Sequence, residues 1–199
     1  MAINSNITSF LNTVQQGVKN NLFLVKFQFP SAMSGDAPTL DTVNMLCKSA
    51  ALPASNLGVI EVPFRGRTVK IAGDRTFDTW TATIINDRNF TIRHGFEKWM
   101  EGINSHQGNS AATISPDVSG TGYLVDLVVD QLERGATPTD PGSVLRSYDL
   151  FGCFPTNISQ IDLAYDSNDQ IEDFTVEFQL QYWSARKGEA AGGGGDIIL

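Results

Sequence analysis

The stretch that decides the fold is residues 59–87, which read VIEVPFRGRTVKIAGDRTFDTWTATIIND. Its last part, residues 79–85, alternates strictly, with Trp80, Ala82 and Ile84 on one side and mainly threonines on the other. A period of two is typical of a half-buried β-strand. Residues 59–62 are also strand-like, so we predict that residues 59–87 form one hairpin with two β arms.

The segment between these two arms is charged and much longer than an ordinary hairpin turn, which closes in about two to five residues. A projection of this kind buries little surface within its own domain, so we expect it to contact a neighbouring subunit. The expected contact residues are Phe64, Arg65, Arg67, Lys70, Asp74 and Arg75.

The basic side chains of this projection have three possible roles: a solvated surface, a phosphate site, or a contact with acidic residues of another subunit. Arginine suits the last role because its planar fork pairs with a carboxylate through two hydrogen bonds. The acidic balance of the whole chain, with a net charge of −8, disfavours the phosphate site.

Other segments outward from this stretch also alternate. The strongest is residues 171–183, where apolar side chains oppose a polar row. One face of that strand is expected to lie in the core and the other in water. The polar row consists of Thr175, Glu177, Gln179 and Gln181. Further strands are expected at residues 22–29, 44–51, 123–132, 144–154 and 158–165, with Pro155 ending the fourth of these.

Two segments have helical spacing. Residues 91–104 place Ile92, Phe96, Trp99 and Ile103 on one face. A short amphipathic helix is expected at residues 4–18. The predicted fold is therefore mainly β, an antiparallel β-sandwich or barrel with one packed α-helix, a short N-terminal helix and a long projecting hairpin.

The domain organisation is expected to be simple. Residues 1–187 are predicted to form a single domain, and residues 188–199 a flexible C-terminal arm. Glycines at 192–195 precede three apolar residues that a free tail has no reason to carry: Ile197, Ile198 and Leu199. We expect this arm to dock on a neighbouring subunit.

No arrangement of residues in the sequence points to catalysis. There is no nucleophile elbow or Walker motif, and there are only two histidines. Asp166, Asn168, Gln170 and Glu177 have the spacing of a calcium loop, but Ile171 stands where that loop needs glycine. Cys47 and Cys153 lie in apolar contexts typical of buried free thiols, the alternative being a disulfide or metal pair. We expect no catalytic residue, no metal and no cofactor.

Three segments of the sequence carry a family resemblance. Residues 47–54 (CKSAALPA), 62–64 (VPF) and 69–80 (VKIAGDRTFDTW) closely resemble the tail tube proteins of contractile-tailed bacteriophages, the large myoviruses. The similarity extends over roughly residues 20–183. It fails in the loops 31–42 and 105–122 and in the tail 186–199, so no role is carried over to them.

The resemblance implies hexameric rings stacked into a hollow tube inside a contractile sheath, which delivers viral DNA into the host. The implied partners are further copies of the chain and the sheath, baseplate and tail terminator proteins. DNA would pass without specific binding, which suits an acidic chain. The implied location is the virion tail, after synthesis in the host cytoplasm. The polar row Thr175, Glu177, Gln179 and Gln181 is the candidate lumen surface.

Two other interpretations remain open. Inner tubes of phage-derived contractile injection or secretion devices resemble phage tubes and carry protein cargo. A monomeric β-sandwich binding module would instead show a concave aromatic cluster. The sequence contains no apolar run of membrane-spanning length and no signal peptide pattern, so we expect neither feature.

Overall fold

The computed structural model describes residues 6–15, 17–33, 37–108, 122–135, 143–188 and 194–197. Its helices are α1 (Ile7–Gln15), α2 (Leu40–Leu46) and α3 (Thr91–Ile103), with one 3-10 turn at Ser31–Met33. Its strands are β1 (Phe23–Lys26), β2 (Cys47–Ala50), β3 (Asn56–Phe64), β4 (Arg67–Thr76), β5 (Trp80–Ile85), β6 (Val125–Leu132), β7 (Val144–Ile158), β8 (Asp173–Gln179) and β9 (Tyr182–Lys187). The predicted mainly β, antiparallel class is confirmed.

Two antiparallel sheets share the long strand β7. In the first sheet, β7 lies between β6 and β9, and β1 pairs with the far side of β6. After Cys153 the strand changes partners and pairs with β8, which continues the second sheet through β5 to β2. The described strands do not close into a barrel, because β1, β9 and β2 remain at sheet edges.

Gly152 lies where β7 passes from one sheet to the other. Its φ of 60° is left-handed, a region that side chains with a Cβ occupy at a cost. A Cβ at this position would also come within 2.8 Å of the Gln181 side chain. Glycine therefore allows the strand to bend between the two sheets at the least cost.

Helix α3 packs its apolar face on both sheets and completes the core. Ile92, Phe96 and Trp99 are fully buried, as the helical spacing predicts. Phe96 lies at the centre of an aromatic cluster, with ring centroids 5.9 Å from Phe178 and 6.2 Å from Phe27. The remaining buried core includes Val25, Ala82, Ile84, Leu127, Val129, Leu150, Phe174 and Val176.

The Asp87 carboxylate fixes the start of α3. It accepts hydrogen bonds from the backbone N–H of Ile92 at 3.1 Å and from the Thr91 hydroxyl at 2.8 Å. Burial acts to raise the pKa of Asp87, but the hydrogen bonds from Ile92, Thr91 and Asn89 outweigh it and leave the pKa below its ordinary value. A negative charge at a helix N-terminus also interacts favourably with the helix dipole.

The structure corrects four of the strand expectations. Residues 44–51 begin inside α2 and only Cys47–Ala50 is strand. Pro155 does not end its strand, because β7 continues to Ile158 with a register shift beside the proline. Residues 159–172 form a loop rather than the expected strand at 158–165. The single strand expected at 171–183 is two strands, β8 and β9, joined by a turn.

The N-terminal helix forms as expected but buries none of its residues. Ile7 is 71% exposed and Phe10 is 64% exposed, so its apolar face is open to solvent in the single chain. No helix among the described residues is long and apolar enough to cross a membrane.

Candidate assembly surface

Strands β3 and β4 form a two-stranded ribbon, here called the ribbon, that stands apart from both sheets. Its register runs from Asn56 opposite Thr76 to Phe64 opposite Arg67. Every residue of the two strands is exposed except Gly73, which is half-buried. A ribbon of nine to ten residues per strand is about 30 Å long at the usual rise of about 3.3 Å per residue.

The turn of the ribbon corrects the hairpin expected at residues 59–87. The chain reverses through only two residues, Arg65 and Gly66, with φ of 44° and 86°. Two consecutive positive φ values are the signature of a tight two-residue hairpin turn. The charged segment is therefore regular strand, and residues 80–85 belong to the second sheet as β5 rather than to the hairpin.

Pairing sorts the ribbon side chains onto two unlike faces. Ile60 lies opposite Ile71, Val62 opposite Val69, and Phe64 opposite Arg67. Because successive side chains alternate between faces, these pairs share one face. The opposite face carries Glu61 and Lys70, whose charged groups lie 3.4 Å apart. We call Ile60, Val62, Phe64, Val69 and Ile71 the apolar face of the ribbon, and each is 42–58% exposed.

The expected contact residues are distributed unevenly on the ribbon. Phe64, Arg65 and Arg67 lie together at the tip, with the Arg65 guanidinium over the Phe64 ring at 5.5 Å. Lys70 lies on the charged face. Asp74 and Arg75 lie near the root, where Arg75 donates to the Ser55 hydroxyl at 3.1 Å. The tip therefore carries both an aromatic ring and two arginines without an acidic partner among the described residues.

Hydrogen bonds fix the root of the ribbon to both sheets, through Trp80 of β5 and Trp183 of β9. The Trp80 indole N–H donates to the carbonyl of Ala51 at 2.6 Å, and the Trp183 indole N–H to the carbonyl of Ala54 at 2.8 Å. The Asn56 amide donates to Asp78 at 2.6 Å. Phe77 is half-buried and packs against the core. The ribbon thus projects from a rigid base at the Trp80 end of β5.

The polar row considered for a lumen is only partly brought together. Thr175, Glu177 and Gln179 lie on the face of β8 opposite the core, half-buried, with Thr175 paired through its hydroxyl to Thr83 at 3.2 Å. Gln181 lies beyond the strand end, in the turn before β9. The same face continues onto Thr81 of β5. Most of this surface is neutral hydroxyls and amides, with Glu177 as a charge.

The C-terminal residues that the structure describes lie on their own chain. The Ile197 N–H donates to the carbonyl of Ala185 at 2.7 Å, and the Asp196 carboxylate accepts from the Lys187 N–H at 2.6 Å. The Ala185 carbonyl and the Lys187 N–H belong to the edge strand β9, so Asp196 and Ile197 cover part of that edge. Ile198 and Leu199 lie outside the described residues.

Two features of the surface carried too little sequence signal to be predicted. The apolar face of the ribbon lies in two short alternating runs around Arg-Gly, a weaker turn signal than Asn-Gly. A cross-strand ionic cluster on the first sheet was also missed. There the buried Asp130 accepts from the Ser147 hydroxyl at 2.6 Å and pairs with Lys26 at 2.7 Å, which ties β1, β6 and β7 together.

The described residues offer little for chemistry. They contain no cluster of His, Cys, Asp and Glu that could hold a metal ion. Burial raises the pKa of the Cys47 thiol to about 12. Burial, with the negative charge of Asp126 adding to it, does the same for Cys153, whose pKa is about 12. Both cysteines are free, as expected. A raised pKa keeps a thiol protonated at neutral pH, and the thiol is a much poorer nucleophile than the thiolate.

An exposed apolar surface such as the ribbon's marks a site that packs against another molecule. The family model described as "Phage tail tube protein" matches residues 18–186. The chain belongs to the phage tail tube protein family. It is a structural tube subunit of a contractile phage tail, the function that the sequence resemblance implies.

Curated relatives agree. The chain is 36% identical to the tail tube protein gp19 of Enterobacteria phage T4 over 137 residues, which covers 69% of this chain and 78% of the relative. It is 30% identical to the tail tube protein of Serratia phage KSP90 over 161 residues, covering 81% and 83% of the two chains.

Solved structures share the fold. A chain from the tube-terminating cap of the anti-feeding prophage superposes with a TM-score of 0.59 at 18% identity, covering 94% of this chain and 99% of that one. A chain from the sheath–tube complex of an extracellular contractile injection system gives 0.50 at 15% identity, covering 92% and 99%. At such identities the likeness concerns the fold alone.

Proposed function

We propose that this tube subunit assembles into hexameric rings that stack into a hollow conduit inside a contractile sheath, through which viral DNA passes. The observation that carries the proposal is the ribbon, whose apolar face is left uncovered by its own chain. An exposed apolar patch of this kind marks an interaction site. The family membership makes further copies of the chain its natural partner.

The sheet edges support lateral joining of subunits. An uncovered edge strand presents unpaired backbone N–H and C=O groups that promote pairing with another chain. In the described residues β1 and β2 are such edges, whereas the C-terminal residues occupy part of the β9 edge. Pairing of edges around a closed ring would satisfy these groups and stop lateral growth.

The experiment that tests the conduit is assembly of the purified chain, with and without a baseplate preparation. Sedimentation and negative-stain electron microscopy should show rings or hollow tubes of even width. A chain that stays monomeric under both conditions, at all concentrations tested, would contradict the proposal and favour a monomeric binding module.

The polar face of the second sheet, with Thr175, Glu177 and Gln179, is our candidate for the lumen surface. Neutral hydroxyls with a single carboxylate bind phosphate weakly, so DNA would not be held. Changing Glu177 and Gln179 to lysine should leave tubes intact but slow DNA delivery, most strongly at low salt. Tubes that carry both lysines and deliver DNA at the normal rate would show that this face is not luminal.

The inner tube of a phage-derived injection device is the second candidate, and an assay of the delivered cargo separates the two. Both devices would form tubes in the microscope. Only a phage tube must pass DNA, so assembled particles that deliver protein cargo and no DNA would favour the device. The C-terminal arm remains a proposed contact, and Asp196 and Ile197 would leave β9 if they take part in it.

A further inference from the structure

The loop between β7 and β8, residues 159–172, forms one wall of an open groove. The groove touches the candidate lumen surface only at Thr175, and the functions above use none of its other lining residues. The groove has a volume of about 1140 Å³, and no residue of the ribbon lines it. Loops of this length without secondary structure are uncommon in compact domains, where they are usually either functional loops or linker segments. We call it the acidic groove, and the residues that matter here are Asp162, Leu163, Tyr165, Asp169 and Ile171.

The acidic groove exposes apolar side chains in an acidic setting. Leu163 is 81% exposed, Ile171 is 75% exposed, and Tyr165 is fully exposed. Two further carboxylates of the lining already have partners within the chain: Glu172 accepts from Asn86 at 3.0 Å, and Asp173 pairs with Lys48. Asp162 accepts only from the nearby Gln160, and Asp169 accepts from none of the described residues. The groove therefore combines uncovered apolar surface with carboxylates available for a cation.

The tip of the ribbon has the complementary composition. Phe64 is 58% exposed, and Arg65 and Arg67 flank it without an acidic partner among the described residues. Arginine is enriched at the energetic hot spots of protein interfaces, and it can pair with a carboxylate through two hydrogen bonds. Charge complementarity also selects the partner and speeds encounter.

The two surfaces lie at opposite ends of the second sheet. The ribbon is rooted at the Trp80 end of β5, where Trp80 donates to Ala51. The groove lies at the other end, where Ile85 is opposite Asp173. One copy can thus offer its ribbon to the groove of a second copy while its own groove stays open for a third. Such a head-to-tail contact repeats into a ring or a filament.

From this complementarity and placement, we propose that the acidic groove is the docking site for the ribbon tip of a second copy of this chain. Phe64 packs among Leu163, Tyr165 and Ile171. Arg65 and Arg67 pair with Asp162 and Asp169. The proposal rests on the proposed function, because it names the surface that receives the ribbon when tubes form.

The test uses two complementary charge reversals in the full chain. Variant one is Arg65→Glu with Arg67→Glu, and variant two is Asp162→Arg with Asp169→Arg. Alone, each variant presents like charges at every contact, so we expect the critical concentration for assembly to rise at least about tenfold. An equimolar mixture of the two should polymerise as an alternating copolymer, because every ribbon then meets a groove of opposite charge.

A matched control lies on the same loop. Asp166→Arg changes an exposed carboxylate that does not line the groove, so this variant should assemble as wild type. Far-UV circular dichroism and melting temperature establish that each variant chain is folded, since surface changes usually cost within about 0.5 kcal/mol.

The possible outcomes separate the inference from the function it rests on. Rescue in the mixture supports the groove as the acceptor. Variant two assembling normally while variant one does not would overturn the groove and leave the tube intact. If both variants fail to assemble and their mixture fails too, the proposed pairing of the ribbon tip with the acidic groove is also overturned. A variant two that forms tubes but no longer binds sheath protein would assign the groove to the sheath instead. Wild type that forms neither rings nor tubes would refute the proposed function itself.

Discussion

The apolar face of the ribbon permits a sharp prediction about assembly. Ile60 and Ile71 are opposite each other, and each is 54% exposed in the single chain. Replacing both with threonine keeps β-branched residues that suit a strand while removing most of the apolar surface. We expect the monomer to stay folded, because neither side chain belongs to the core.

The size of the effect follows from the exposed fraction. Complete burial of an isoleucine side chain contributes about 1.5–3 kcal/mol, so covering the exposed half of two side chains contributes about 2 kcal/mol in total. That free energy corresponds to roughly a 30-fold loss in the association constant of each contact. Every subunit in the tube loses the same contact, so the critical concentration should rise by at least this factor.

The assay is sedimentation of tubes across a concentration series, with calorimetric melting of the dilute monomer alongside. Val59→Thr is the matched control, because Val59 is 60% exposed but lies on the opposite, charged face of the ribbon. An unchanged critical concentration for the Ile60→Thr, Ile71→Thr chain would refute the reasoning. So would an equal defect in the Val59→Thr control, since the two faces would then be equivalent.

Three further predictions concern the subunit itself. Phe96→Ala removes the fully buried centre of the aromatic cluster and should lower the free energy of unfolding by about 3–5 kcal/mol in urea titrations. Phe64 is exposed in the monomer, so Phe64→Ala should change the free energy of unfolding by about 0.5 kcal/mol or less. Gly66→Ala forces alanine to the positive φ of the turn at a cost of about 1–2 kcal/mol, so amide hydrogen exchange should quicken in the ribbon while the global melting temperature stays constant. Asp87→Asn keeps an oxygen acceptor but loses the charge. Because the folded-state pKa of Asp87 is lowered, the stability that its charge contributes is complete above the ordinary pKa of 3.8 and is lost as pH falls through the folded pKa. The difference in melting temperature between wild type and variant should therefore close in acid. A difference that persists in acid would exclude the charge as its cause.

The sequence determined the elements whose burial repeats along the chain. Helix α3 matches its apolar spacing, and Trp80, Ala82 and Ile84 of β5 are buried as their alternation predicts. In β8, Phe174, Val176 and Phe178 are buried in the same way. These predictions succeeded because the period of apolar residues records which side of one element faces the core. The family was recognisable for a separate reason, its characteristic residues at 69–80.

Only the tertiary structure decided how the elements pair. Apolar alternation continues through Leu180 into Tyr182, so the sequence alone does not show that β8 ends and that β9 turns back along another part of β7. The tight turn at Arg65-Gly66 and the independence of the ribbon were hidden for the same reason. Both the ribbon's apolar face and the acidic groove arise from long-range placement. Alternation reports the side on which a residue lies, whereas the neighbour of a strand is chosen by the hydrogen bonds and packing of segments far apart in the chain.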